Sequence, residues 1–218
     1  MKSNTLASSA IALVAAALTA GAASASEVIG PWNVRAADSA SLTTDPMGSI
    51  TGWLNVANAP VTVNEAFSGS NILDDGIANA AIGYTVEVVF NTPVVNLPGP
   101  DMVMFEAQFD AGDYAISTDF DGFAASLALP ASSFIDTGEV RDYFFELNSD
   151  GPFSASIWGG AFDLSALGVP NNASVSAIRF TSTNNMTDPI GLAAIVPAPA
   201  GVAALALGGL AAMRRRRG

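Results

Sequence analysis

The chain has 218 residues, enough for one domain of ordinary size. Eight basic residues oppose twenty acidic ones, and five of the eight are terminal (Lys2 and Arg214 to Arg217), so residues 26–196 combine all twenty acids with only Arg35, Arg141 and Arg179, a net charge of −17. A body this acidic repels phosphates, which excludes nucleic acid as a partner, and the absence of Cys and His excludes disulfides, thiolate or imidazole metal ligands, Cys nucleophiles and Ser-His-Asp catalysis.

Met1-Lys2-Ser3-Asn4 precedes an apolar run from Ala10 to Leu18, followed by Ala23-Ser24-Ala25. A basic start, a short apolar region and a small-x-small exit predict a signal peptide over 1–25, handled by the Sec machinery and cut by signal peptidase after Ala25. The competing reading, a buried or anchoring helix, is disfavoured because the run is too short to span a bilayer. No Cys follows it, so a lipoprotein signal is excluded.

Turn signals then recur at short intervals, among them Asp45-Pro46-Met47-Gly48, Asp74-Asp75-Gly76, Leu97-Pro98-Gly99-Pro100, Asp121-Gly122 and Val169-Pro170-Asn171-Asn172. They leave too little uninterrupted chain for a helical bundle. Between them apolar residues alternate. Tyr84, Val86, Val88 and Phe90 share one face; Val103, Phe105, Ala107 and Phe109 share another, with Glu106 and Gln108 opposite; Tyr143, Phe145 and Leu147 face away from Asp142 and Glu146. Half-buried antiparallel strands have this period of two, and many short ones predict an all-β, antiparallel β-sandwich over residues 26–195. Trp32, Trp53, Leu54 and Phe67 extend it to residues 27–70. One helical turn is expected, Leu164 to Leu167, capped by Asp163 and stopped by Gly168 and Pro170. A strand over Ser174 to Phe180 follows.

Residues 196–218 form the third segment. Val196-Pro197-Ala198-Pro199-Ala200-Gly201 leads into an apolar stretch that ends at Met213, before Arg214-Arg215-Arg216-Arg217. As a transmembrane helix, residues 200–213 reach roughly 21 Å, short of the ~30 Å hydrocarbon core, a mismatch that snorkelling arginines ease. The arginines act as a cytoplasmic stop and place the body outside, the orientation the signal peptide also requires. The alternative, a core helix with a basic tag, is opposed by Pro197 and Pro199, which separate the segment from the body.

A weak apolar anchor, entered through Pro-x-Pro and closed by arginines, resembles the PEP-CTERM sorting signal, with Ala198 where the usual motif has Glu. The resemblance implies cleavage near the prolines by an exosortase-type transpeptidase and delivery to the cell surface or extracellular matrix. In the body, Gly99-Pro100-Asp101-Met102-Val103-Met104-Phe105-Glu106, Phe162 to Val169 and Val175 to Phe180 resemble a group of bacterial surface proteins with galactose-binding-domain-like, jelly-roll bodies. That resemblance implies a last strand over Asp188 to Ile195.

Carboxylates are the abundant reactive groups. Paired carboxylates hydrolyse glycosides, and the candidates are Asp101, Glu106, Asp110, Asp113, Asp119 and Asp121. Asp110, Asp113, Asp119 and Asp121 sit in turns, where Asp serves its own backbone, and Glu106 reads as a solvated outward residue. Calcium is a better use of such oxygens, with Asp74, Asp75 and Glu106 as nominated ligands. For a sugar-binding face the aromatics are Trp32, Trp53, Trp158, Tyr84, Tyr114 and Tyr143; Trp158, before Gly159-Gly160, is the leading candidate because it is expected at a loop tip. The resulting expectation is a non-catalytic exported protein of the cell surface or matrix, with no required cofactor. A carbohydrate-binding module for exopolysaccharide and an acidic-residue glycoside hydrolase are the alternatives.

Overall fold

The computed structural model describes residues 26–197, apart from 47, 49, 51, 70–71, 79–81, 108–111, 146–150 and 185–186. The expected signal peptide and the expected helix over 200–213 therefore lie outside the described residues. Among those described, no helix is long and apolar enough to cross a membrane.

The described residues form an all-β sandwich of two antiparallel sheets. In chain order the strands are β1 (Ser26–Ile29), β2 (Trp32–Ala36), β3 (Ser39–Thr44), β4 (Gly52–Asn55), β5 (Asp75–Ala78), β6 (Thr85–Val95), β7 (Met102–Ala107), β8 (Tyr114–Thr118), β9 (Leu127–Leu129), β10 (Ile135–Phe145), β11 (Phe153–Phe162), β12 (Ser174–Ser182) and β13 (Pro189–Ile195). The larger sheet runs β1-β2-β13-β7-β11-β10-β4-β5 and the smaller β3-β6-β12-β8-β9.

The alternation read in the sequence sets the core. Val86, Val88 and Phe90 of β6, Ile116 of β8 and Ile178 and Phe180 of β12 point inward from the smaller sheet to meet Met102 and Met104 of β7 and Leu192 of β13. Each such side chain, fully buried, contributes about 2 kcal/mol. Phe180 is the hub of an aromatic group, its ring 5.1 Å from Phe67, 6.1 Å from Tyr114 and 6.3 Å from Tyr84.

The larger sheet departs from a simple sandwich because it is covered on both faces. Val103, Phe105 and Ala107 of β7 point away from the smaller sheet, yet join Val34, Leu54, Tyr143, Ile157 and Ala193 in a second apolar cluster. The sheet curls over on itself to enclose that cluster. A Cβ at Gly76 of β5 would lie 2.7 Å from the Pro189 carbonyl oxygen, so the edge strand β5 rests against β13. The β1–β2 turn packs on β10 in the same manner, with a Cβ at Gly30 only 3.1 Å from Thr137 Cα.

Two short helical pieces close gaps between strands. The expected turn is a 3-10 helix, η3 (Leu164–Leu167); Asp163 accepts from Ser165 N–H, and Gly168 adopts the left-handed conformation at φ 77° that ends it. The α-helix α1 (Val63–Phe67) was not anticipated. Its start carries a capping box in which Thr62 and Glu65 satisfy each other's backbone N–H groups, and its Phe67 reaches the core.

Candidate functional site

The most unusual polar group lies at the end of the sandwich where β7 finishes and β8 and β13 begin. Glu106, penultimate in β7, is 3% exposed and shares the inward face of Met102 and Met104. Its Oε1 accepts hydrogen bonds from Tyr114 Oη (3.1 Å) and from the backbone N–H of Asp188 (3.2 Å), and its Oε2 accepts from Gly112 N–H (3.3 Å). Gly112 is required because a Cβ there would occupy the space of the Glu106 carboxyl. Beside this group Tyr84 Oη and Thr187 Oγ1 are 3.0 Å apart, and Thr187 and Asp188 are both buried.

Burial dominates the electrostatics here. It pushes the Glu106 carboxyl up to about 7, helped by the Asp188 carboxylate and opposed by the three donors. Burial also raises the phenols of Tyr84 and Tyr114 far above their ordinary range. Glu106 can therefore hold a proton near neutrality while tying β7 to β8 and to the turns before β8 and β13. Chemically this is a closed cradle: its donors face the carboxylate, an arrangement suited to an anion rather than to a cation.

Glu106 is thus a correction to the sequence reading. Its parity was legible but its solvation was not, since a residue opposite Val103 and Phe105 reaches water only if that second face is open. The missed signal is Met102-Val103-Met104-Phe105, apolar at both parities, as expected of a strand covered on both sides.

The nominated calcium ligands are not brought together. Asp75 starts β5 opposite Asn55, near an edge of the larger sheet, with Asp74 in the preceding turn. Burial first, and then Asp74 and Glu65, push the Asp75 carboxyl up to about 6. Glu106 instead points into the core between the sheets. Among the described residues, no three His, Cys, Asp or Glu side chains are grouped so as to hold a metal ion.

The other acidic candidates serve backbone N–H groups. Asp101 accepts from Leu97 (2.9 Å) and Leu164 (3.1 Å), Asp113 from Ala131 (2.7 Å), Asp119 from Ser176 (3.1 Å), and Asp121 from Ala124 (3.0 Å) and Ala125 (2.6 Å). Asp110 lies outside the described residues. For Asp113, Asp119 and Asp121 the turn role read from the sequence is the one observed. Asp101 adds something the sequence hid: one carboxylate pins two separate turns.

Trp158 is not at a loop tip. It lies inside β11, between Asp136 of β10 and Glu106 of β7, half-buried against the core, with its indole Nε1 buried and lacking a partner. The following glycines are a packing device: Gly159 leaves room for the Trp32 ring and Gly160 for the Phe134 ring, whose Cε2 would lie 2.9 Å from an added Cβ. Tyr84, Tyr114 and Tyr143 are fully buried, while Trp32 and Trp53 are half-buried. None of the six is placed as an exposed stacking platform.

The sorting segment enters the described structure only at its first two residues. Val196 N–H donates to the Asn33 carbonyl (2.7 Å), and Pro197 is exposed. Ala198 to Gly201 and Arg214 to Arg217 lie outside the described residues. Each arginine of the body is engaged: Arg179 binds Glu87 (2.7 Å) and stacks on Phe123, Arg141 binds Glu139 (3.0 Å), and Arg35 lies over Phe90 and donates to the Thr92 carbonyl.

No protein-family model, curated protein or solved structure matches the chain.

Proposed function

We propose that this is an exported, non-catalytic protein of the cell surface or extracellular matrix, whose folded body is delivered by its C-terminal segment. The body is read as a jelly-roll of the galactose-binding-like kind, on the strength of the segments that resemble that group. The partners are the Sec machinery and signal peptidase at the N-terminus, an exosortase-type transpeptidase at Val196 to Gly201, and the inner membrane through residues 200–213 before processing.

One observation carries this reading. The last strand, β13, is not an edge: it sits between β2 and β7, and its pairing ends at Ile195, directly before the proline motif. Every strand of both sheets lies between Ser26 and Ile195. Cutting at or after Pro197 therefore removes no ladder hydrogen bond from the body. A tail that the fold does not need is what a disposable sorting segment requires.

The test is the intact mass of the protein recovered from the cell surface or medium. The expected product lacks Arg214 to Arg217; mature surface protein with its C-terminus complete would overturn the proposal.

A further inference from the structure

β13 leaves the larger sheet at one end of the sandwich, and a single hydrogen-bond network organises that end. Ile195 N–H donates to the Asp101 carbonyl (2.8 Å) and Val196 N–H to the Asn33 carbonyl (2.7 Å). The Asp101 carboxylate holds the turns at Leu97 and Leu164. Asn96, fully buried, bonds through its backbone to Asn172 and Ala173 and gives its side-chain amide to the Val169 carbonyl (2.5 Å). The short 3-10 turn η1 (Asp119–Asp121) joins through Asp119 and Ser176. The exit point of the chain is thereby fixed relative to the turns over 97–100 and 164–172.

These turns differ in character from the rest of a body of net charge −17. Pro98, Gly99, Pro100, Pro170, Asn171 and Asn172 are exposed and carry no charge. Val95 and Phe120, on the same end, are 42% and 45% exposed. The nearby carboxylates of Asp163, Asp119 and Asp121 each accept backbone N–H groups. An anionic lipid surface repels such an end less than it repels the acid-rich remainder.

We propose that the end of the sandwich formed by residues 97–100, 164–172 and η1 is the face turned toward the lipid surface while the tail is membrane-inserted. This rests on the preceding reading that residues 200–213 enter the bilayer. Only Pro197, Ala198 and Pro199 separate Val196, held in the sheet, from Ala200, the first residue of the apolar run. In the extended form that prolines favour, the step spans about 12 Å. β12, nine residues long, spans roughly 30 Å from this end to the opposite one. The tether is too short for the body to present its far end to the bilayer, and the bilayer meets the charge-poor turns first.

The test uses the full chain, which contains no Cys, so single labels are specific. Ser165→Cys and Asn171→Cys place a bimane fluorophore on the exposed turns, and Thr183→Cys places one beyond the far end of β12. Each variant is reconstituted in phosphatidylethanolamine–phosphatidylglycerol vesicles that contain a headgroup spin-labelled lipid. Quenching at positions 165 and 171 should exceed that at 183 several-fold. Equal or reversed quenching in protein that floats with the vesicles would overturn the orientation alone. A chain that fails to float would overturn the membrane-insertion reading, and the orientation with it.

Discussion

Replacing Glu106 by Gln removes the ionisable group most at odds with its surroundings. In the folded protein the carboxyl is pushed from 4.5 up to about 7, chiefly by burial, so between those values the folded state binds a proton that the unfolded chain releases. Stability contributed by this group is then greatest below pH 4.5, falls as pH rises through the window, and levels off above about pH 7, where both states are ionised. The loss across the window amounts to ~3 kcal/mol, a large part of the stability of a domain this size. The chain has no His, so the side chains that titrate between pH 5 and 7 are displaced carboxylates; Asp75 is the other large one, but it is half-buried and screened by water. Glu106→Gln should therefore flatten most of the pH dependence of the urea midpoint between pH 5 and 8, read by tryptophan emission. At pH 8 the variant should equal or exceed the parent, because no buried charge remains. At pH 5 it should lose about 1 kcal/mol, since the new amide presents a donor among existing donors. A variant whose pH profile superimposes on the parent's would refute the claim that burial governs this group.

Two further substitutions probe neighbouring features. Gly112→Ala drives a methyl group into the Glu106 carboxyl and should lower stability by ~2–3 kcal/mol in the same denaturation assay; a loss within ~0.5 kcal/mol would show that the turn yields easily. Arg179→Ala removes the Glu87 ion pair and the stacking on Phe123, and should cost ~1 kcal/mol, less in high salt; no change at low salt would show that both contacts are energetically idle.

Much of the fold was legible along the chain because its strands obey a simple periodicity. Tyr84 to Phe90 alternates as a strand with one face in the core, and β6 does so. Asp163 and Gly168 bracket a short helical turn by local chemistry that needs no distant partner, and η3 forms there. The turns at Asp121-Gly122 and Pro170 likewise announced themselves. Where reading failed, the cause was a contact between residues far apart in sequence. The α1 helix, five residues long, is too short to show a helical period, and its capping box, Thr62 with Glu65, passed as ordinary polar residues. Trp158 with two glycines looked like a loop because nothing nearby revealed that Trp32 and Phe134 fill the space those glycines leave.

The amino-acid sequence by itself determined the class of fold, the acidic character of the body and the segmentation of the chain, since each follows from local pattern, composition or charge. Which face of each strand meets water was left to the tertiary structure. Glu106 has the same parity in either case; it becomes a buried, proton-holding carboxyl only because the larger sheet curls over its outer face while Tyr114, Gly112 and Asp188 converge from other parts of the chain. Burial is a property of the assembled layers, and no stretch of sequence carries it alone.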